Sequence, residues 1–159
     1  MRFYIISIIA IISIGHSQPI NHFYFINPGV KVGYAFGENG GFTYGFELSY
    51  VRTGPTWLEK KYGVVLNVDW IKDLTKYHLG VEYIGGALLG GEFGPSILIQ
   101  NGEIDYGVQA TPFLLFFLIP YYSHTFVLNG IDINEIGSFV KLPFQIEPNK
   151  DNGVFPLHD

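Results

Sequence analysis

Hydrophobic and polar residues alternate with a period of two along most of the chain. In residues 29–36 the even positions hold valine, tyrosine or phenylalanine, and the odd positions hold glycine, alanine or Lys31. Further strand-like segments follow at 42–50, 62–70, 77–83, 89–99, 105–118, 121–128 and 136–144, although the facing of 121–128 is not defined by its pattern. Turn-forming pairs such as Asn101-Gly102 and Asn129-Gly130 separate them. Because side chains of a strand alternate between its faces, the pattern predicts about eight antiparallel strands.

The two faces of the predicted strands differ in chemistry. One face is aromatic and branched aliphatic, and the other carries glycine, serine, threonine and charge. Every charged residue inside a strand of clear register falls on the second face: Lys31, Glu47, Asp69, Glu82, Glu92 and Lys141. Lys31 and Lys141 lie on the first and last strands, which become neighbours if the sheet closes.

Alternation alone does not say which face is inside. Eight strands enclose a lumen that side chains just fill, and a lumen lined by the many tyrosines and phenylalanines would be overfilled. Charged residues make up only 14% of the chain, whereas they make up about 25% of a typical soluble domain. This content is too low to cover the outside of a soluble barrel. We therefore predict an all-β fold, a closed antiparallel up-and-down transmembrane β-barrel whose apolar face meets lipid.

This orientation gives the polar face a structural role. We interpret Lys31, Glu47, Glu82, Glu92 and Lys141 as a salt-bridge network that plugs the lumen and satisfies buried charge. A gated polar path or a proton relay is the functional alternative for the same residues.

The aromatic residues fall at two levels, with aliphatic residues between them. Two aromatic girdles of this kind flank the lipid-facing band of a membrane barrel. We expect eight interfacial anchors, namely Tyr34, Tyr44, Tyr50, Trp57, Tyr62, Trp70, Tyr77 and Tyr83. Trp57 lies in the link 53–61, and Tyr121 is assigned to the same outward set.

The N-terminus has the three parts of a secretory signal peptide. Met1-Arg2 supplies positive charge, residues 3–14 are apolar, and Gly15-His16-Ser17 places small residues before Gln18. The apolar run is shorter than the ~20 residues of a spanning helix. We predict a signal peptide over residues 1–17, one barrel domain over 18–146 and a polar tail over 147–159.

The segments GVKVGYAFGENGGFTYGFELSYVR and GSFVKLPFQI resemble the small eight-stranded outer-membrane β-barrels of the OmpA/OmpX-like class. This resemblance implies a bacterial outer-membrane location, membrane lipid as the main partner, a monomer, and a structural or interaction role.

The sequence gives little support for nucleic-acid binding, for a metal or cofactor site, or for catalysis. The net charge of −5 argues against nucleic acid, and the absent cysteines and scattered histidines offer no metal or cofactor site. Ser123 and His124 could suggest a lipid-modifying enzyme, but adjacent strand residues point to opposite faces, so we predict no catalytic residues. The remaining alternative is a soluble secreted barrel of lipocalin type that carries an apolar ligand.

Overall fold

The structure is a computed structural model, and it describes residues 23–37, 40–54, 60–85, 88–115 and 118–146. The predicted signal peptide (1–17), the predicted tail (147–159) and Trp57 lie outside the described residues. Among the described residues, no helix has the length and apolar character needed to cross a membrane.

The described residues form one antiparallel sheet that closes on itself. The strands are β1 (Phe23–Phe36), β2 (Gly41–Thr53), β3 (Lys61–Ile71), β4 (Leu74–Gly85), β5 (Leu89–Gln100), β6 (Glu103–Leu114), β7 (Ile119–Val127), β8 (Ile133–Lys141) and β9 (Phe144–Ile146). Each strand from β1 to β8 pairs with the next, and β8 pairs with β1. The short β9 pairs with the first part of β1. The predicted closed eight-stranded antiparallel barrel is therefore confirmed.

Short connections join the strands at one end of the barrel, which we call the turn end. The connection between β5 and β6 is the pair Asn101-Gly102, with φ angles of 51° and 85°. Two positive φ angles in a two-residue hairpin match the right-handed twist of the flanking strands, and asparagine and glycine tolerate them best. At the opposite end, which we call the terminal end, β1 begins and β9 ends.

Several predicted strand boundaries are wrong. The first strand begins at Phe23 rather than Gly29, and β6 ends at Leu114 rather than near Leu118. The predicted strand 136–144 is divided at Leu142-Pro143, because proline has no N–H to donate to a strand ladder. The predicted strand 77–83 begins three residues earlier than expected, since β4 starts at Leu74.

Side-chain facing follows the predicted alternation in each strand of defined pattern. Large apolar side chains such as Phe46 and Leu79 point outward and keep 60% of their surface exposed. Among the described residues, two buried apolar clusters lie inside the barrel. One lies toward the turn end and contains Ala35, Ile71, Leu74, Leu98 and Ile133; the other lies toward the terminal end and contains Ile84, Phe113, Ile119, Tyr121 and Phe139. Polar and charged side chains fill the lumen between them.

Candidate functional site

The lumen holds all five residues predicted for the polar network. Lys31, Glu47, Glu82 and Glu92 are buried, and the side chain of Lys141 retains 10% exposure. The structure does not bring them together in a single network, however. It divides the charged side chains into two clusters, one toward each end of the barrel, with Lys31 and Lys141 in different clusters.

We call the group nearer the terminal end the Lys141 cluster; it consists of Lys141, Glu47, Glu82 and Glu92. The Lys141 ammonium contacts the Glu47 carboxylate and lies 2.7 Å from Glu82 Oε1 and 3.7 Å from Glu92 Oε1. Asn67 Nδ2 donates a hydrogen bond of 3.0 Å to Glu92 Oε2. One ammonium group thus forms ion pairs with three carboxylates from three strands.

Two aromatic rings support the ammonium group of Lys141 from another side. Its Nζ lies 4.9 Å from the Phe139 ring centroid and 5.4 Å from that of Phe113. Both distances are within the range of cation–π attraction. The rings therefore help to hold Lys141 beside the carboxylates.

The second group, which we call the Lys76 cluster, contains Lys31, Asp69, Lys76, Tyr121 and Glu135. Asp69 Oδ2 lies 3.0 Å from Lys31 Nζ and 3.3 Å from Lys76 Nζ. Lys76 also lies 3.0 Å from Glu135 Oε2, and the Tyr121 hydroxyl donates to Glu135 Oε1. The chain of contacts joins side chains from β1, β3, β4, β7 and β8.

Sequence reasoning missed Lys76, Glu135 and Tyr121 as lumen residues. Lys76 lies just before the predicted strand 77–83, and it continues the inward series of His78 and Glu82 on β4. The outward assignment of Tyr121 is wrong: this side chain is 3% exposed and lies in the lumen, because the inward positions of β7 are the odd-numbered ones. Glu135 precedes the predicted start of the last strand but follows the same period.

Glycines on the lumen face make room for the large side chain of Tyr121. A Cβ atom added to Gly33 would lie 2.8 Å from the Tyr121 hydroxyl, and one added to Gly137 would lie 2.7 Å from it. Real Cβ contacts are longer than this, so any larger residue at either position would displace the hydroxyl that donates to Glu135.

Uncharged polar residues complete the lumen between the clusters. Gln109 Nε2 donates to Thr111 Oγ1 at 3.0 Å, and Thr111 Oγ1 donates to Ser123 Oγ at 3.1 Å. Ser123 is fully buried in this chain of hydrogen bonds. His124 points outward and contacts Asn134 Oδ1 at 2.8 Å, so Ser123 and His124 lie on opposite faces of β7.

Seven of the eight predicted interfacial anchors lie on the outward face. Tyr34, Tyr44, Tyr50, Tyr62, Tyr77 and Tyr83 are exposed, and Trp70 is partly exposed. The rings contact one another across neighbouring strands, with centroid distances of 5.5 Å for Tyr44 and Trp70 and 5.3 Å for Tyr62 and Tyr83. Trp57 lies outside the described residues, and the role of these rings as anchors stays a prediction.

Comparison of the chain with protein-family models, with curated proteins and with solved structures finds no match. The resemblance to small outer-membrane barrels therefore remains an interpretation of the sequence pattern.

Proposed function

We propose that this protein is a small transmembrane β-barrel of a bacterial outer membrane, with a plugged lumen and a structural or interaction role there. The observation that carries the proposal is the outward surface of the barrel. Apart from Arg52 near the end of β2, the outward face of the described strands carries no lysine, arginine, aspartate or glutamate. Soluble monomers rarely expose contiguous apolar patches larger than a few hundred Å², whereas this surface surrounds the barrel.

The strand lengths also suit a bilayer. The barrel strands range from 9 residues in β7 and β8 to 14 residues in β1. A tilted strand needs about 9–11 residues to cross the hydrocarbon core. Closure of the sheet pairs the strand edges, which is a requirement for any β-structure in lipid.

The side chains that fill the lumen favour a plugged barrel over an open pore. The two apolar clusters lie toward opposite ends, and salt bridges and hydrogen bonds fill the space between them in the described part of the chain. A barrel of eight strands leaves little room beyond its own side chains. We therefore assign the protein a role at its surface or in the envelope rather than in solute flow.

The two alternatives from the sequence have less support. A lipocalin-type carrier needs an apolar lumen for its ligand, and the lumen here is lined by buried carboxylates and ammonium groups. A hydrolase using Ser123 and His124 needs both side chains at one reaction centre, and the two point to opposite faces of β7.

Cell fractionation tests the proposal directly. The full-length chain, expressed in a Gram-negative bacterium, should sediment with outer membranes, resist extraction by high salt or alkaline wash, and dissolve only with detergent. A variant that lacks residues 2–17 is the matched control, and it should remain inside the cell. Recovery of the full-length protein in the soluble periplasmic fraction would contradict the proposal and favour the carrier alternative.

A further inference from the structure

The three carboxylates of the Lys141 cluster have the spacing of a cation site. One oxygen atom from each of Glu47, Glu82 and Glu92 lies within 4.8 Å of the others, and all three residues are buried. We call these three residues the carboxylate triad. Calcium binds oxygen ligands at about 2.3–2.6 Å, so ligands on opposite sides of one ion stand roughly 5 Å apart. A single Ca²⁺ can therefore contact all three carboxylates.

An uncharged side chain at the triad supplies a second, independent indication. Asn67 is fully buried, and its amide nitrogen is bound to Glu92. Its carbonyl oxygen, Oδ1, has no hydrogen-bond partner among the described residues. Both atoms belong to one planar amide, so this oxygen lies within a few ångström of the Glu92 carboxylate that the nitrogen contacts. Amide oxygens are regular calcium ligands.

The carboxylates also have more acceptor atoms than the residues around them can satisfy. Glu47 Oε2, Glu82 Oε2 and Glu92 Oε1 are buried without a hydrogen-bond partner in the described part of the chain. Lys141 provides one positive charge against three negative charges. Buried acceptors are normally satisfied, so the arrangement favours an additional cation over the existing ion pairs alone.

The terminal end provides both a route by which a cation can reach the triad and a space into which the Lys141 side chain can move. A cavity of about 370 Å³ at the terminal end is lined by both Glu82 and Lys141, with Phe25, Val51 and Ile84 on its apolar wall. Movement of the flexible Lys141 side chain into this cavity would free the triad for an ion that enters by the same path.

We propose that Glu47, Glu82, Glu92 and Asn67 form a calcium-binding site in the lumen, for which the ammonium group of Lys141 competes. Magnesium binds less well there, because it requires shorter bonds of about 2.0–2.1 Å and gives up its water reluctantly. The proposal concerns the folded barrel and does not depend on where in the cell the barrel resides.

Calorimetric titration of the full-length protein in detergent micelles tests the site. CaCl₂ is added at constant ionic strength, and we expect a single site with a Kd of about 10⁻⁴–10⁻³ M. Lys141→Met should bind calcium at least ~10-fold more tightly because it removes the competitor, and Glu92→Gln should bind at least ~10-fold more weakly because it removes a charged ligand. Glu135→Gln makes the same charge change in the Lys76 cluster, where Glu135 contacts Lys76 and Tyr121, and it should leave the Kd within about threefold of the wild-type value.

Three results would overturn the proposal. The first is the absence of calcium binding in the wild type and in a folded Lys141→Met variant. The second is an equal loss of affinity for Glu135→Gln and Glu92→Gln, which would show a general charge effect. The third is unchanged affinity in Glu92→Gln; this comparison with the wild type decides the question even if Lys141→Met does not fold. Because all titrations are made in micelles, their outcome is separate from that of the fractionation experiment.

Discussion

The Lys76 ammonium lies 3.0 Å from the Glu135 carboxylate, and both side chains are completely buried. This ion pair joins β4 to β8, which are not neighbours in the sheet but face each other across the lumen. Glu135 also accepts a hydrogen bond from Tyr121 on β7, and Lys76 also contacts Asp69 on β3. The barrel wall is thus tied together through its interior as well as along its strand edges.

Breaking this ion pair should be strongly destabilising. We expect Lys76→Met to lower the free energy of unfolding by about 3–5 kcal/mol, since it leaves the buried Glu135 carboxylate without its cation. Urea unfolding in micelles measures the effect. The double variant Lys76→Met/Glu135→Gln should lose less than the sum of the two single variants, because no buried charge is stranded.

The matched control for this experiment is Lys72→Met, which makes the same substitution at an exposed turn residue. Its free energy of unfolding should stay within about 0.5 kcal/mol of the wild-type value. If Lys76→Met proves as mild as Lys72→Met, the ion pair across the lumen does not hold the barrel together.

Two adjacent glycines test the facing of β5. The Cβ of an alanine at Gly90 would meet the ring of Phe113 inside the barrel, whereas at Gly91 the nearest atom would be Thr111 O at 3.7 Å. We expect Gly90→Ala to lower the free energy of unfolding by about 1–3 kcal/mol through overpacking. Gly91→Ala should change it by no more than about 0.5 kcal/mol.

The ring of Phe113 is the reason for this difference, so a smaller residue should relieve it. Phe113→Leu in the Gly90→Ala background should recover part of the lost stability, as measured by the same urea unfolding. No recovery, or equal effects of the two alanines, would mean that Gly90 does not face Phe113.

A charge placed on the outward face should be tolerated at the rim and costly in the middle. Leu79 lies in the centre of β4, and Leu128 follows the end of β7; both are exposed in the structure. In lipid vesicles Leu79→Lys should cost about 2–4 kcal/mol and Leu128→Lys about 0–1 kcal/mol, since the penalty for lysine falls toward the membrane interface. Urea unfolding from vesicles measures both, and equally small costs would indicate that water surrounds both positions.

The fold and the facing of most lumen residues could be predicted from the sequence. Alternation with a period of two places Lys31, Glu47, Glu82, Glu92 and Lys141 on one side of their strands, and the structure has all five in the lumen. Facing can be predicted in this way because it depends only on the position of a residue within its own strand.

Strand ends and lumen partners could not be obtained in the same way. Lys76 and Glu135 lie close to turns, where the alternation of residue types does not show at which residue strand pairing stops. An aromatic residue such as Tyr121 fits equally well in an outward girdle or in a lumen where glycines leave room for its ring. The division into two clusters depends on the stagger with which the strands close into a barrel. That stagger is a property of the whole sheet, so the sequence of a single strand does not determine it.

The most direct test of the account is whether lipid touches the middle of the outward face. The chain has no cysteine, so a single fluorescent probe can be attached at Leu79→Cys or Leu128→Cys without background labelling. In vesicles whose lipids carry bromine near the bilayer centre, the probe at position 79 should be quenched several-fold more than the probe at position 128. Negligible quenching at both positions, with the protein recovered in the aqueous phase, would contradict the claim that this barrel spans a membrane.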